Sequence, residues 1–70
     1  MNIERPLDFL NDSKGREVTI ILKNGTDPLK GILIAFDIHV NVVIEIKKKN
    51  KFVRGDMIVS IEWQWFVIFN

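Results

Sequence analysis

Cysteine is absent from this 70-residue chain, so no disulfide framework braces it. The only strong soft ligand for a metal is one histidine, His39, which argues against structural zinc and leaves no cofactor expected. Long apolar runs are missing too. Val40 to Ile44 is interrupted by Asn41, and even the longest unbroken runs, Ile32 to Phe36 and Trp65 to Phe69, fall far short of the roughly 20 residues that span a bilayer. Met1 to Asp12 mixes charged and apolar residues and lacks the apolar region of a secretory signal. A soluble, cytoplasmic protein with no membrane partner is expected. Neither sign of charge is in excess, since the net charge is +1. Composition alone therefore makes no case for nucleic acid. Internal repeats, linkers and low-complexity stretches are also lacking, apart from a cluster of lysines. The expectation is a single domain over residues 1–70.

What the chain does have is apolar surface. It is 47% hydrophobic, yet a chain of this size buries only roughly 60% of the surface it exposes when unfolded. Small domains often resolve that mismatch by oligomerising. The patterning then gives the elements. Pro6 to about Asp12 predicts a short helix: proline suits a first turn, and Leu7, Phe9 and Leu10 make an apolar edge. From Arg16 the period changes to two, with Val18, Ile20 and Leu22 alternating against Glu17 and Thr19, which predicts a strand to Lys23. Asn24 to Pro28 is turn chemistry. Leu29 to Ile38 predicts a second strand, with Gly31 marking a bend or a close backbone approach. Asp37 to Asn41 is a polar turn, and Val42 to Lys48 a third strand. Lys49-Asn50 is read as the next turn, Phe52 to Arg54 as a fourth strand, and Met57 onward as a fifth, reaching about residue 69. One helix followed by strands excludes βαβ units. The expected class is all-β, a small antiparallel barrel of five strands.

Two turns carry polar groups between apolar strands: Asp37-Ile38-His39-Val40-Asn41 and Val53-Arg54-Gly55-Asp56. The first, with the run Gly31-Ile32-Leu33-Ile34-Ala35-Phe36 before it, resembles the first signature motif of Sm and Sm-like proteins. The second, continuing through Met57-Ile58-Val59, resembles their second motif. The Arg5-Pro6-Leu7 opening is similar to that of archaeal members. The resemblance covers residue 4 to about residue 62. It implies a strongly bent, SH3-like Sm barrel that forms a ring of six or seven copies, and uridine-rich single-stranded RNA as the partner. It also implies that His39, Asn41 and Arg54 line a uridine pocket near the pore.

The residue types support that chemistry independently. A single-stranded base can be gripped by stacking and read along its edge. His39 offers a flat ring, and Arg54 a flat cation that also attracts phosphate. Asn41 carries a donor beside an acceptor, which complements the N–H and carbonyl of uracil. Cytosine would need the amide reversed, so an amide held one way by a carboxylate favours uracil. Asp37 and Asp56 are the candidates for holding it. Lys47, Lys48, Lys49 and Lys51 read as a solvated hairpin tip, with secondary phosphate contacts as the alternative.

An open five-stranded sheet leaves two unpaired edges, and joining the fourth strand of one copy to the fifth of the next covers both. The tail Trp63-Gln64-Trp65-Phe66-Val67-Ile68-Phe69 is unusually aromatic. Val59, Ile61 and Trp63 alternate with Ser60, Glu62 and Gln64, and beyond them the tail is apolar on both faces. It is expected to lengthen the fifth strand, with contacts between rings or to a partner protein through Trp65 and Phe66 as the sharper alternative. The rival function is a small-barrel scaffold that binds protein without RNA. An enzyme fares worse: Ser13 and Ser60 lie far in sequence from His39, and turn structure accounts for Asp37 and Asp56 better than a carboxylate pair. No catalytic activity is expected.

Overall fold

The computed structural model describes residues 6–63 and 66–69. One helix, α1 (Pro6–Ser13), precedes strands β1 (Glu17–Leu22), β2 (Leu29–Phe36), β3 (Val42–Ile46), β4 (Lys49–Val53), β5 (Ile58–Trp63) and β6 (Phe66–Phe69), with a 3-10 turn at Gly55–Met57. All neighbours are antiparallel, in the order β4-β3-β2-β1-β5-β6. β4 and β6 do not pair, so the sheet is strongly bent but not closed.

The core follows the period-two pattern. Val18, Ile20, Leu33, Val42, Ile44, Val53, Ile58 and Ile61 are buried on the concave side, and Phe9 and Leu10 of α1 cap them. Leu7 stays largely outside. The buried stripe of the helix is Phe9, Leu10 and Ser13, whose hydroxyl donates to the Phe9 carbonyl at 2.7 Å and so needs no water. Gly31 acts as expected. A Cβ there would stand 2.6 Å from the Glu45 carbonyl oxygen, so β2 and β3 approach closely only because it is glycine.

Three strand expectations are corrected. The β3–β4 turn is Lys47–Lys48, two residues before Lys49-Asn50. Both lysines have positive φ, 50° and 66°, as a two-residue hairpin turn requires. Neither is the Asn-Gly that would advertise such a turn. In β5, the pairing skips from Ile21↔Ser60 to Leu22↔Ile58. This bulge changes the phase of the strand, so Ser60 is buried beside Ile61 and does not share an outer face with Glu62. Finally, the fifth strand ends at Trp63. The chain turns back as β6, with Trp63↔Phe66, Glu62↔Val67 and Ile61↔Ile68 in register. The backbone of the tail thus covers the free edge of β5, and the exposed edges are β4 and β6. Trp65, offered above as an anchor, lies outside the described residues, as does the side chain of Phe66. Among the described residues, no helix is long and apolar enough to cross a membrane.

Candidate nucleic-acid interface

The β2–β3 turn and the β4–β5 turn are built to meet. Asp37 opens the first. Its backbone N–H donates to the Asn41 carbonyl at 3.1 Å, and its own carbonyl accepts the Val40 N–H at 3.1 Å. Its carboxylate works inward on the same turn: Oδ1 accepts the backbone N–H of His39 at 2.8 Å and that of Asn41 at 3.1 Å, while Oδ2 accepts Asn41 Nδ2 at 3.0 Å. These bonds, led by the Asn41 amide, hold the Asp37 carboxyl below its usual pKa. The turn is tight enough to force Val40 to φ 63°. That is a true outlier for a β-branched residue, and such conformations persist only where the surroundings over-determine them.

The second turn closes on the first through Gly55. Its backbone N–H donates to Asn41 Oδ1 at 2.7 Å. A Cβ on Gly55 would lie 2.1 Å from the His39 carbonyl oxygen and 2.9 Å from the Val40 carbonyl carbon. No other residue allows the turns to touch. The Asn41 amide is therefore fixed at both ends, its N–H on a carboxylate and its oxygen on a backbone N–H. Flipping it would set oxygen against carboxylate and N–H against N–H.

Of the two acidic residues considered for this holding role, Asp37 fills it and Asp56 does not. Asp56 accepts instead from Arg54 Nη2 at 2.8 Å, in an ion pair whose side chains are 70% and 62% exposed. So exposed a pair contributes little stability. Its effect is to limit where the guanidinium lies. Each carboxylate is thus committed to its own turn.

His39, Asn41, Arg54 and Asp56 line one shallow cavity of about 310 Å³, together with Phe52. That volume sits at the lower end of sites for small organic molecules. Asp37 stands behind it, reaching it through Asn41. The lysines do not join the cavity. Lys47 and Lys48 form the far tip of the β3–β4 hairpin, the nearer of them about 17 Å along the strand direction from Val42 at roughly 3.3 Å per residue. Sequence reasoning missed the Phe52 ring in the cavity wall and the Gly55 N–H that fixes Asn41. Phe52 had a signal: it sits two positions before Arg54 and follows three polar residues, Lys49, Asn50 and Lys51.

Comparison with known proteins places this arrangement in a family. Residues 8–63 match the LSM domain. A protein of Pyrococcus furiosus named as snRNP Sm-like is 41% identical over 69 residues, covering 83% of this chain and 90% of its own length. Among solved structures, the Sm protein of Pyrococcus abyssi in complex with a uridine heptamer superposes with a TM-score of 0.72 at 35% identity, covering 83% of this chain and 96% of that one. A heptameric archaeal Sm protein gives a TM-score of 0.66 at 31% identity, covering 77% and 93%. None of these relatives is named as an enzyme. The bent sheet, the two meeting turns and these matches together make the chain a member of the archaeal Sm-like family.

Proposed function

We propose that this protein binds uridine-rich single-stranded RNA, one base to each cavity, as a closed homo-oligomeric ring that serves RNA processing or chaperoning. One observation carries the reading: the Asn41 amide is locked between Asp37 and Gly55. An amide has two N–H groups and two lone pairs on oxygen. Asp37 uses one N–H and Gly55 one lone pair. What remains is one donor beside one acceptor in a fixed order. Uracil matches that order with its carbonyl and its N3–H. Cytosine, with an acceptor at N3, does not, and the amide cannot turn to suit it. His39 and Arg54 provide stacking surfaces on either side, and Arg54 adds attraction for phosphate. The Pyrococcus abyssi relative, solved with a uridine heptamer, supports the choice of base.

The open sheet, with an unpaired edge at each end, supports the ring. Seven copies are proposed, as in the heptameric relative. Repetition turns a weak single-base contact into avid binding of a short tract and gathers one Arg54 per copy around a small area. This is how a chain of net charge +1 holds a polyanion.

The test is binding of oligo-uridine against oligo-cytidine across a salt series. The assembled protein should prefer uridine clearly, and equal affinity for the two would sink the reading. Arg54→Ala should weaken binding and flatten its salt dependence, because a phosphate-attracting charge is lost at every pocket. A protein-binding scaffold would show neither effect.

Because β6 covers β5, the edges offered to a neighbouring copy are β4 and β6. Truncation after Trp63 bares β5, removes the outer edge strand and so alters the contact between copies. A changed native mass is expected, with uridine preference per assembled protein retained. If the truncated chain kept its assembly but lost RNA binding, the tail would belong to the RNA site.

A further inference from the structure

Phe52 is the least expected of the side chains around the cavity. It is 62% exposed, while its neighbour Val53 is buried at 5%. The rest of β4 before Val53 is Lys49, Asn50 and Lys51, all exposed and polar. An aromatic ring on the open side of an edge strand invites aggregation unless something covers it.

Geometry indicates what does. Alternation sets Phe52 on the opposite face of β4 from Val53. Arg54 continues the extended backbone, with φ −71° and ψ 136°, so its side chain leaves on the same side as Phe52. Across the sheet, Phe52 pairs with Val43, two residues from Asn41 and again of the same parity. The ring therefore stands in the same row as Arg54 and beside the Asn41 column, and it lines the cavity with His39, Asn41, Arg54 and Asp56. Its position also differs from theirs. His39, Asn41, Arg54 and Asp56 come from turns, whereas Phe52 comes from a hydrogen-bonded strand, so its backbone is already fixed when a ligand arrives.

On the reading of this cavity as a uridine pocket, we propose that Phe52 is a further nucleoside-binding residue. Its ring forms an apolar wall against which the bound uridine packs, beside the stacking surfaces of His39 and Arg54. The ring is covered when RNA is bound, and it adds affinity that does not depend on salt.

Two measurements test this, both on the full chain in its native assembly. First, oligo-uridine affinity is compared for wild type, Phe52→Leu and Phe52→Ala, with native mass recorded for each. Phe52→Ala should bind about 10-fold or more weakly with an unchanged salt slope, and Phe52→Leu should fall between it and wild type. Second, an oligomer containing 4-thiouridine is irradiated on the wild-type protein and the adducts are mapped by peptide mass spectrometry. An adduct at Phe52 is expected. Wild-type binding to oligo-uridine with no loss in Phe52→Ala and no adduct at Phe52 would overturn the proposal and leave the pocket standing. If the variants alter the native mass while each assembled protein binds as wild type, Phe52 belongs to the contact between copies and the proposal also fails. Failure of the wild type to prefer uridine would remove the pocket reading and this inference together. Should Phe52→Ala not fold, Phe52→Leu and the mapped adduct decide.

Discussion

Gly55→Ala is expected to remove RNA binding and to destabilise the fold by roughly 2–6 kcal/mol. The methyl group would have to occupy space 2.1 Å from the His39 carbonyl oxygen. The obstructing atoms are backbone, so no side chain can swing aside. Either the Asp37–Asn41 turn or the 3-10 turn at Gly55–Met57 must move. Overpacking of this kind costs about 1–3 kcal/mol. Moving the turns also breaks the bond from Gly55 N–H to Asn41 Oδ1, and losing one partner of a half-buried amide adds about 1–3 kcal/mol. Against the total stability of a small domain, roughly 0.05–0.15 kcal/mol per residue, that is a large fraction. A urea titration and an oligo-uridine binding curve on the same sample would show it. Gly25→Ala is the control. Gly25 has φ +75° but nothing within 4 Å of its Cβ position, so only the backbone conformation is penalised, at about 1 kcal/mol. Should both alanine variants behave alike, close approach at Gly55 would not be what holds the two turns together.

Asn41→Ala is expected to lower affinity for a uridine tract by about 1–3 kcal/mol per occupied pocket. More tellingly, it should bring the affinities for uridine and cytidine together. The wild-type amide discriminates because Asp37 Oδ2 and Gly55 N–H fix its order of donor and acceptor. Alanine has no order to fix. A preference for uridine that survived the substitution would place the base-reading group elsewhere. The same link gives a pH signature. The folded pKa of Asp37 is lowered from 3.8, first by the Asn41 side chain and then by the backbone N–H groups of His39 and Asn41. A lowered pKa means that the carboxylate's contribution is present above the unfolded value and is lost as pH falls through the folded one. The uridine preference should therefore not lose its Asp37 support until the solution is more acidic than ordinary carboxylate titration. Asp37→Asn, which keeps the size but not the charge, should weaken the preference wherever Asp37 is ionised in the wild type, and the difference should vanish once the wild-type carboxylate is protonated.

Much of this was legible in the residues. The alternation of Val18, Ile20 and Leu22 and the single short helix give an all-β antiparallel sheet directly, because a pleated strand buries every second residue; the strong bend was implied only by the resemblance to the Sm family. His39, Asn41 and Arg54 stand out because both turns that carry them resemble the Sm motifs, in order; taken singly, each would pass for an ordinary turn residue. Three features were decided only in three dimensions. Lys47 and Lys48 adopt the left-handed turn although neither is glycine or asparagine, so local sequence could not place the hairpin tip. The bulge at Ser60 depends on how β5 pairs with β1, which no period along one strand reveals. The choice between Asp37 and Asp56 as holder of Asn41 turned on distance alone. Both are aspartates at turns, but Asp37 reaches the amide at 3.0 Å while Asp56 is drawn to Arg54. Sequence determines which groups are available and on which face each strand presents them. The contacts that select among equals run between residues such as Asn41 and Gly55, 14 positions apart. Only the bending of the sheet between them sets those distances.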